Sequence, residues 1–233
     1  MESNKISISL RVDAADGGAM IDLELDNLII AGWTGRDRAA LEAHIKELQE
    51  LGVTPPTKTP IFYPVSTQLL TTGDVIQVVG DGASGEVEAV FLTSPQGSWI
   101  GLGSDHTDRQ VEVHNVNWSK QICPKPISGT VWPFDEVAGH WDDLLVKSHV
   151  YDGAERQLYQ EGPLAKMLHP HTLLEKLAGE MPIAGKTIAM FCGTLPALLP
   201  IGQFDRFDMT LTDPVLGREI QHNYVADCLP DAG

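Results

Sequence analysis

The sequence predicts an α+β fold, mostly β, with a few short helices. Three observations carry that prediction. Many segments alternate apolar and polar residues with the period of two of a half-buried strand. Only two stretches show a clear helical period. The regular βαβα rhythm of a doubly wound sheet is missing, no GxGxxG leads from a strand into a helix, and there is no phosphate-binding GxxxxGK loop.

In chain order, SISLRVDA alternates and reads as a strand. IDLELDNLIIAGW alternates and then turns apolar, as strands running into a core do. Residues 36–51 form the clearest helix, with Leu41, Ile45, Leu48 and Leu51 as its apolar stripe and Gly52 at its stop. The proline-rich TPPTKTPIFYPVS connects onward. GDVIQVVGDGASGEVEAVFL and SWIGLGSDHTDRQVEVHNV then read as strands between turns. DEVAGHWDDLLVKSHVYD holds a short turn or helix and then a strand. HTLLEKLAGE is a second short helix with Leu173, Leu174 and Leu177 inward, and the tail from Ile183 onward is strand-rich.

A chain of 233 residues is read as one domain, 1–233, with ample length for a core. Residues 1–27 supply N-terminal strands and 28–229 the body. A net charge of −16 argues against nucleic acid, whose phosphates need Lys and Arg. No apolar run approaches membrane-spanning length, and MESNKISISL has no apolar signal core, so a soluble cytoplasmic protein is the simplest reading. Cys123, Cys192 and Cys228 are sparse, odd in number and without a CxxC pair, which fits free thiols in a reducing compartment.

The chemistry concentrates in two places. Glu86 and Glu88 are one residue apart on a strand, so they share a face with Val87 opposite. Two carboxylates on one face repel unless a cation sits between them. An exposed ExE is the bland alternative. If SDHTDR is also a strand, Asp105, Thr107 and Arg109 share one face and His106 and Asp108 the other, which makes Asp105 the better third oxygen ligand. A polar turn with a local Asp–Arg pair is the alternative there. Lys120, between Trp118 and a Cys-Pro pair, suits oxyanion stabilisation or a surface position. His44 and Glu47, three apart on the first helix, are neighbours that can act as an oriented general base or form a surface pair. His169 and His171 flank a proline ahead of Thr172, a helix start with Thr172 as its cap rather than a metal pair. A cupin-like site on His106, His114 and the glutamates lacks the close HxH pair.

Taken in order, these segments resemble the fumarylacetoacetate hydrolase superfamily over residues 28–229. In IIAGWTGRDRAALEAHIKE the family's HxxE falls on His44 and Glu47, although the preceding Asn-Tyr pair is missing. PIFYPVSTQLL resembles the following proline-phenylalanine stretch. GEVEAVF resembles the metal strand, and SDHTDR the element that carries the third ligand and an arginine four residues later. SKQICPKP is similar to the lysine-bearing loop. AGKTIAMFCGTLPAL resembles the Gly-Thr-Pro motif, here Gly-Thr-Leu-Pro. GSDHTDR and SKQICPKP look like those of an uncharacterised bacterial branch of the superfamily.

The resemblance implies a mixed β-sandwich roll, usually a homodimer, with a divalent cation in its mouth. It places that cation on Glu86, Glu88 and Asp105. Mg²⁺ is the expected metal, and Mn²⁺ or Ca²⁺ also suit an all-carboxylate site. It makes His44, oriented by Glu47, the activator of water, and Lys120 and Arg109 the stabilisers of negative charge. Thr194 becomes a contact for the substrate carboxylate, together with Arg109. The implied substrate is a small 2-oxo acid or acylpyruvate, cleaved at a C–C bond through an enolate. Hydration, dehydration, decarboxylation and isomerisation use the same enolate, and a non-catalytic binding protein keeping the metal is a reading of another class. Trp132 and Phe134 either line the substrate's tail or anchor their loop.

Overall fold

The computed structural model describes residues 5–50 and 56–232, apart from the side chains of residues 44 and 47–50. Its strands are β1 (Ile6–Val12), β2 (Ala19–Leu25), β3 (Asn27–Gly32), β4 (Ile61–Val65), β5 (Val75–Val79), β6 (Val87–Ser94), β7 (Gly97–Ser104), β8 (Thr130–Pro133), β9 (Leu145–Asp152), β10 (Glu155–Pro163), β11 (Ile188–Thr194), β12 (Arg206–Asp213) and β13 (Arg218–Leu229). Its α-helices are α1 (Arg38–Glu50), α2 (Arg109–Glu112), α3 (Val116–Gln121), α4 (Phe134–Val137) and α5 (Pro170–Ala178). The mostly β, mixed architecture is the predicted one.

Two sheets organise the chain. The larger runs β2-β1-β8-β7-β6-β11-β3-β4, and the smaller β10-β9-β12-β13-β5. Both are mixed: β1 with β8, β3 with β11, and β13 with β5 are parallel, and the other neighbours are antiparallel. The edge strand β4 tolerates Pro64, which has no N–H for a ladder.

The alternation of side chains sorts the core in two. Val87, Ala89 and Phe91 of β6 face the smaller sheet and pack in one cluster with Val146, Phe207, Met209 and Leu211. Val90 and Leu92 face the other way, into a second cluster with Leu10, Leu23, Ile30 and Phe191. The larger sheet therefore curls until its outer hairpin, β1–β2, covers its own central strands. β6 is buried on both sides, which is why it reads as a nearly continuous apolar run. Glu88 has the parity of Val90 and lies on the concave face.

Several boundaries differ from the sequence reading. The first helix starts at Arg38 because Asp37 caps it, its Oδ1 accepting from the Ala39 and Ala40 N–H groups at 2.9 and 3.1 Å. Leu51 and Gly52 lie outside the described residues, as do the side chains of His44, Glu47 and Leu48. The stretch RQVEVHNV is not a strand. Asp108 caps α2 through the Gln110 and Val111 N–H groups, and Asn115 caps α3 through that of Trp118, so local capping overrides the alternating pattern. The last helix begins at Pro170 and is capped by His169, whose Nδ1 accepts from the His171 N–H, so Thr172 is not the cap. The rings of His169 and His171 pack against each other and on Phe134. Leu173 and Leu177 are buried as predicted, and Leu174 is half-buried. Trp132 and Phe134 are fully buried anchors. Cys123 and Cys192 are buried free thiols, and Cys228 is an exposed one.

One packing constraint fixes the floor of the concave face. Gly103 pairs with Glu88 across β6–β7. A Cβ added there would lie 2.8 Å from Phe191 and Val90 and 2.9 Å from Ile127. We expect Gly103→Ala to destabilise the protein by about 1–3 kcal/mol through overpacking, a drop of several degrees in Tm. An unchanged melting curve would show that this floor is loosely packed.

Candidate metal centre

The ladder between β6 and β7 carries the acidic residues to one place. Asp105 follows β7 directly, and its N–H donates to the Glu86 carbonyl at 3.0 Å, extending the pairing one step beyond each strand. Glu86, Glu88 and Asp105 then converge, with one carboxylate oxygen from each lying within 4.8 Å of the others. SDHTDR is not a continuous strand, since β7 ends at Ser104 and α2 begins at Arg109. Its parity argument nonetheless picks the right side chains. Asp105 joins the glutamates, whereas His106 points away and pairs through Nδ1 with the Tyr224 hydroxyl at 2.9 Å. Asp108 is spent as a helix cap. His114 is exposed and outside the acidic cluster, so the cupin-like arrangement is not formed.

Glu88 is held by a backbone device. Between Phe191 and Thr194 the pairing with β6 shifts register, and Gly193 takes φ = 100°. Its N–H thereby donates to Glu88 Oε2 at 2.7 Å. A Cβ at Gly193 would collide with the Thr34 hydroxyl, so glycine is required both by its dihedral and by the space. Thr194 lies opposite Glu88. Its hydroxyl donates to the Val87 carbonyl at 2.8 Å and accepts from Gln160 Nε2 at 2.7 Å. Gln160 also takes the Val87 N–H at 3.0 Å, so it braces β6 directly beside the site.

The cations come from the two short helices and the turn after them. Lys120 lies on α3 rather than in a loop, is almost fully buried although Trp118 is exposed, and donates to Asp105 Oδ2 with Glu86 3.9 Å away. Arg109 opens α2. Its Nη2 lies 3.1 Å from Glu86, its Nη1 2.8 Å from Glu112, and its Nε donates to the Ser84 hydroxyl at 2.7 Å. Its carboxylate partners are therefore Glu86 and Glu112, not Asp105. Lys125, not singled out from the sequence, is fully buried. Its three N–H donors go to the carbonyls of His106, Lys120 and Cys123, at 2.6, 2.6 and 3.0 Å, with Asp105 Oδ1 3.3 Å away. With those donors spent, Lys125 offers Asp105 Oδ1 charge but no hydrogen bond, which explains why that buried oxygen has none among the described residues.

The titration of the cluster follows. Burial, then Asp105 and Glu86, push the Glu88 carboxyl well above its ordinary range. Burial also opposes ionisation of Asp105, but Lys120 and Lys125 outweigh it and hold that carboxyl low. Burial opposes the charge on Lys120, yet Asp105 and Glu86 raise its pKa and keep it an ammonium. Burial lowers His106 to about 3, so it is neutral.

The residues fit a hard divalent cation. All three donors are carboxylate oxygens, one buried oxygen lacks a hydrogen bond, and a buried glutamate is ionised only at a penalty that a cation would remove. Above the unfolded carboxylate range, the raised pKa of Glu88 makes the metal-free protein lose stability as pH rises through that folded value. Asp105, with its depressed pKa, contributes stability that is lost only in acid. We expect Glu88→Gln to raise the Tm of metal-free protein near neutral pH and to abolish stabilisation by Mg²⁺ or Mn²⁺. Binding of metal by the wild type should release up to about one proton, read by calorimetry in buffers of different ionisation enthalpy. A metal-free Tm lowered by Glu88→Gln would contradict the assigned charge state.

The fold is similar to a putative fumarylacetoacetate isomerase/hydrolase from Oleispira antarctica, with a TM-score of 0.65, 15% identity, and 93% of this chain and 99% of that one covered. It is similar to a 2-keto-3-deoxyarabinonate dehydratase, with a TM-score of 0.64, 15% identity, and coverage of 90% and 77%. A yeast fumarylacetoacetate hydrolase family protein, ynq8, matches with a TM-score of 0.61, 18% identity, and coverage of 89% and 95%. No curated protein matches the sequence. Residues 31–224 match the profile described as protein of unknown function (DUF2848), a span that takes in the three carboxylates and Arg109, Lys120 and Lys125; the chain belongs to that family and has the fumarylacetoacetate hydrolase fold.

Proposed function

We propose that this chain is a divalent-metal-dependent enzyme acting on a small 2-oxo acid or acylpyruvate, hydrolysing a C–C bond through an enolate. The observation that carries this reading is the convergence of Glu86, Glu88 and Asp105 on the concave face of the curled sheet, with the Lys120 ammonium hydrogen-bonded to Asp105. Glu86, Glu88 and Asp105 would hold Mg²⁺, or Mn²⁺ or Ca²⁺ in its place, which when bound would supply Lewis acidity toward a 2-oxo acid.

The chain's own groups supply the rest. Lys120 keeps a fixed positive charge where negative charge develops on the substrate, in a site too buried for water to screen it. Arg109 adds charge for the substrate carboxylate and orients Glu86. Thr194 reaches the substrate carboxylate once its hydroxyl leaves the Val87 carbonyl. The resemblance gives His44, with Glu47, the role of taking the proton of the attacking water as the water oxygen bonds to the scissile carbonyl carbon. The C–C bond then breaks, its electron pair passes into the enolate, and a proton returns to carbon. A homodimer is the assembly that accompanies this reading.

Dehydration or isomerisation of a 2-oxo acid is the second reading, and one observation favours it. Lys120 is a hydrogen-bond donor already in place beside Asp105, and loss of a hydroxyl group needs no activated water. The similarity of fold to a dehydratase is in line with it.

The test is turnover of a panel of acylpyruvates and 2-oxo acids by EDTA-treated protein, before and after Mg²⁺ or Mn²⁺. Metal-restored cleavage is the expected outcome, and turnover indifferent to EDTA would refute the proposal. Lys120→Ala should lower kcat about a hundredfold or more while changing metal affinity far less. His44→Ala separates the two readings, since it should abolish hydrolysis but leave dehydration.

A further inference from the structure

Beyond the acidic centre, one strained residue stands near the same face of the sheet. Trp33, directly after β3, has φ = 58°, a left-handed backbone that a bulky side chain adopts only under constraint. Its side chain hydrogen-bonds the phenol of Tyr63 on β4. Tyr63 pairs with Ile30 and packs in the concave cluster, on the face that carries Glu88. Its ring lies over Lys120, with Nζ 5.9 Å from the centroid. Gly32 makes room for that ring, since a Cβ there would lie 2.9 Å from Tyr63 Cε2. The next residue, Thr34, abuts Gly193, whose N–H holds Glu88. The Trp33 turn thus touches both the tyrosine and the support of a metal ligand.

The polarity of the Trp33–Tyr63 hydrogen bond decides what Tyr63 can do. An indole N–H only donates, so the phenol oxygen accepts from it, and the proton Tyr63 can give is its own. Burial raises the pKa of that phenol, so the proton stays on it. Lys120 is also a donor, and Asp105 already accepts from it. The carboxylates whose charge Tyr63 feels, Glu112 and Asp105, are held by Arg109 and Lys120, which leaves the phenol O–H matched to an anionic oxygen from outside the chain.

We infer that Tyr63, set by the left-handed Trp33, donates a hydrogen bond to the substrate's oxyanion beside Lys120 and is a second oxyanion donor of the site. This rests on the metal-dependent reading above. Trp33 belongs to the segment in which the chain departs from the Asn-Tyr pair of the resembling family, and it is a positioning residue that aims Tyr63.

Oxalate is a suitable probe, because it presents two adjacent anionic oxygens as the enolate of a 2-oxo acid does. Calorimetry should give two affinities for each variant, that of Mg²⁺ alone and that of oxalate at saturating Mg²⁺. Tyr63→Phe is expected to leave Mg²⁺ affinity within about twofold and to weaken oxalate about tenfold to a hundredfold, the loss expected for one hydrogen bond to a charged group. Trp33→Phe, which removes the indole donor but keeps an aromatic ring, should weaken oxalate in the same direction and by less. Gly32→Ala, which displaces the Tyr63 ring, should mimic Tyr63→Phe. Mg²⁺-dependent oxalate binding by the wild type with an unchanged affinity in Tyr63→Phe overturns this inference alone. Absence of any Mg²⁺-dependent oxalate binding by the wild type overturns the metal reading and takes this inference with it.

Discussion

The architecture depends on keeping carboxylates buried at close quarters. Glu88 and Asp105 are almost completely excluded from solvent, and Glu86 stands beside them. Charges so placed require compensation, because the lost hydration of each ion is worth several kcal/mol. The fold provides it unevenly. Lys120 and Lys125 flank Asp105, and Arg109 faces Glu86, but Glu88 receives only the Gly193 N–H and the distant field of Lys120. The deficit falls on the residue deepest in the strand ladder. A divalent cation would fill it, so the metal-free cluster stores a binding preference in its electrostatics.

That arrangement demands a rigid frame. β6 and β7 bring the carboxylates together only if their register holds, since a slip of one residue would turn Glu88 into the apolar core between the sheets. The register is secured from both sides. Gly103 lets Phe191, Val90 and Ile127 close under the site, and Gln160 reaches from the smaller sheet to brace Val87 and Thr194. Serving both sheets, Gln160 ties the packing between them to the geometry of the ligands. The same residues that carry stability therefore set the precision of the acidic cluster.

Much of this was legible in the sequence, for identifiable reasons. Side-chain alternation is a hard geometric rule, so it placed Glu86 and Glu88 together and separated Asp105 from His106 even though the strand assumed for SDHTDR stops at Ser104. Alternation failed at RQVEVHNV because Asp108 and Asn115 supply caps, and short helices held by caps need no helical apolar period. The same parity put Arg109 on the face of Asp105; α2 turns it toward Glu86 and Glu112. Gln160 and Tyr63 were invisible because their roles come from strands distant in sequence. A Gln in QLYQEG carries no sign of whether its amide meets water or the backbone of β6.

Lys120 and Lys125 show most plainly why residue type alone does not settle function. They lie five residues apart, both are buried, and both are close to Asp105. Lys120 projects from α3, and its ammonium has the Asp105 carboxylate as its anchor. Lys125 follows the helix end, and its ammonium is consumed by the carbonyls of Lys120 and Cys123 and by that of His106 from the turn ahead of α2. The first keeps donor capacity for a ligand, whereas the second has spent its three donors and contributes only field. Burial accordingly lowers the pKa of Lys125, while carboxylates raise that of Lys120. Two identical side chains thus divide into one anchored by a carboxylate and one consumed by carbonyls, and the division is made by backbone carbonyls that no pattern of residue types displays.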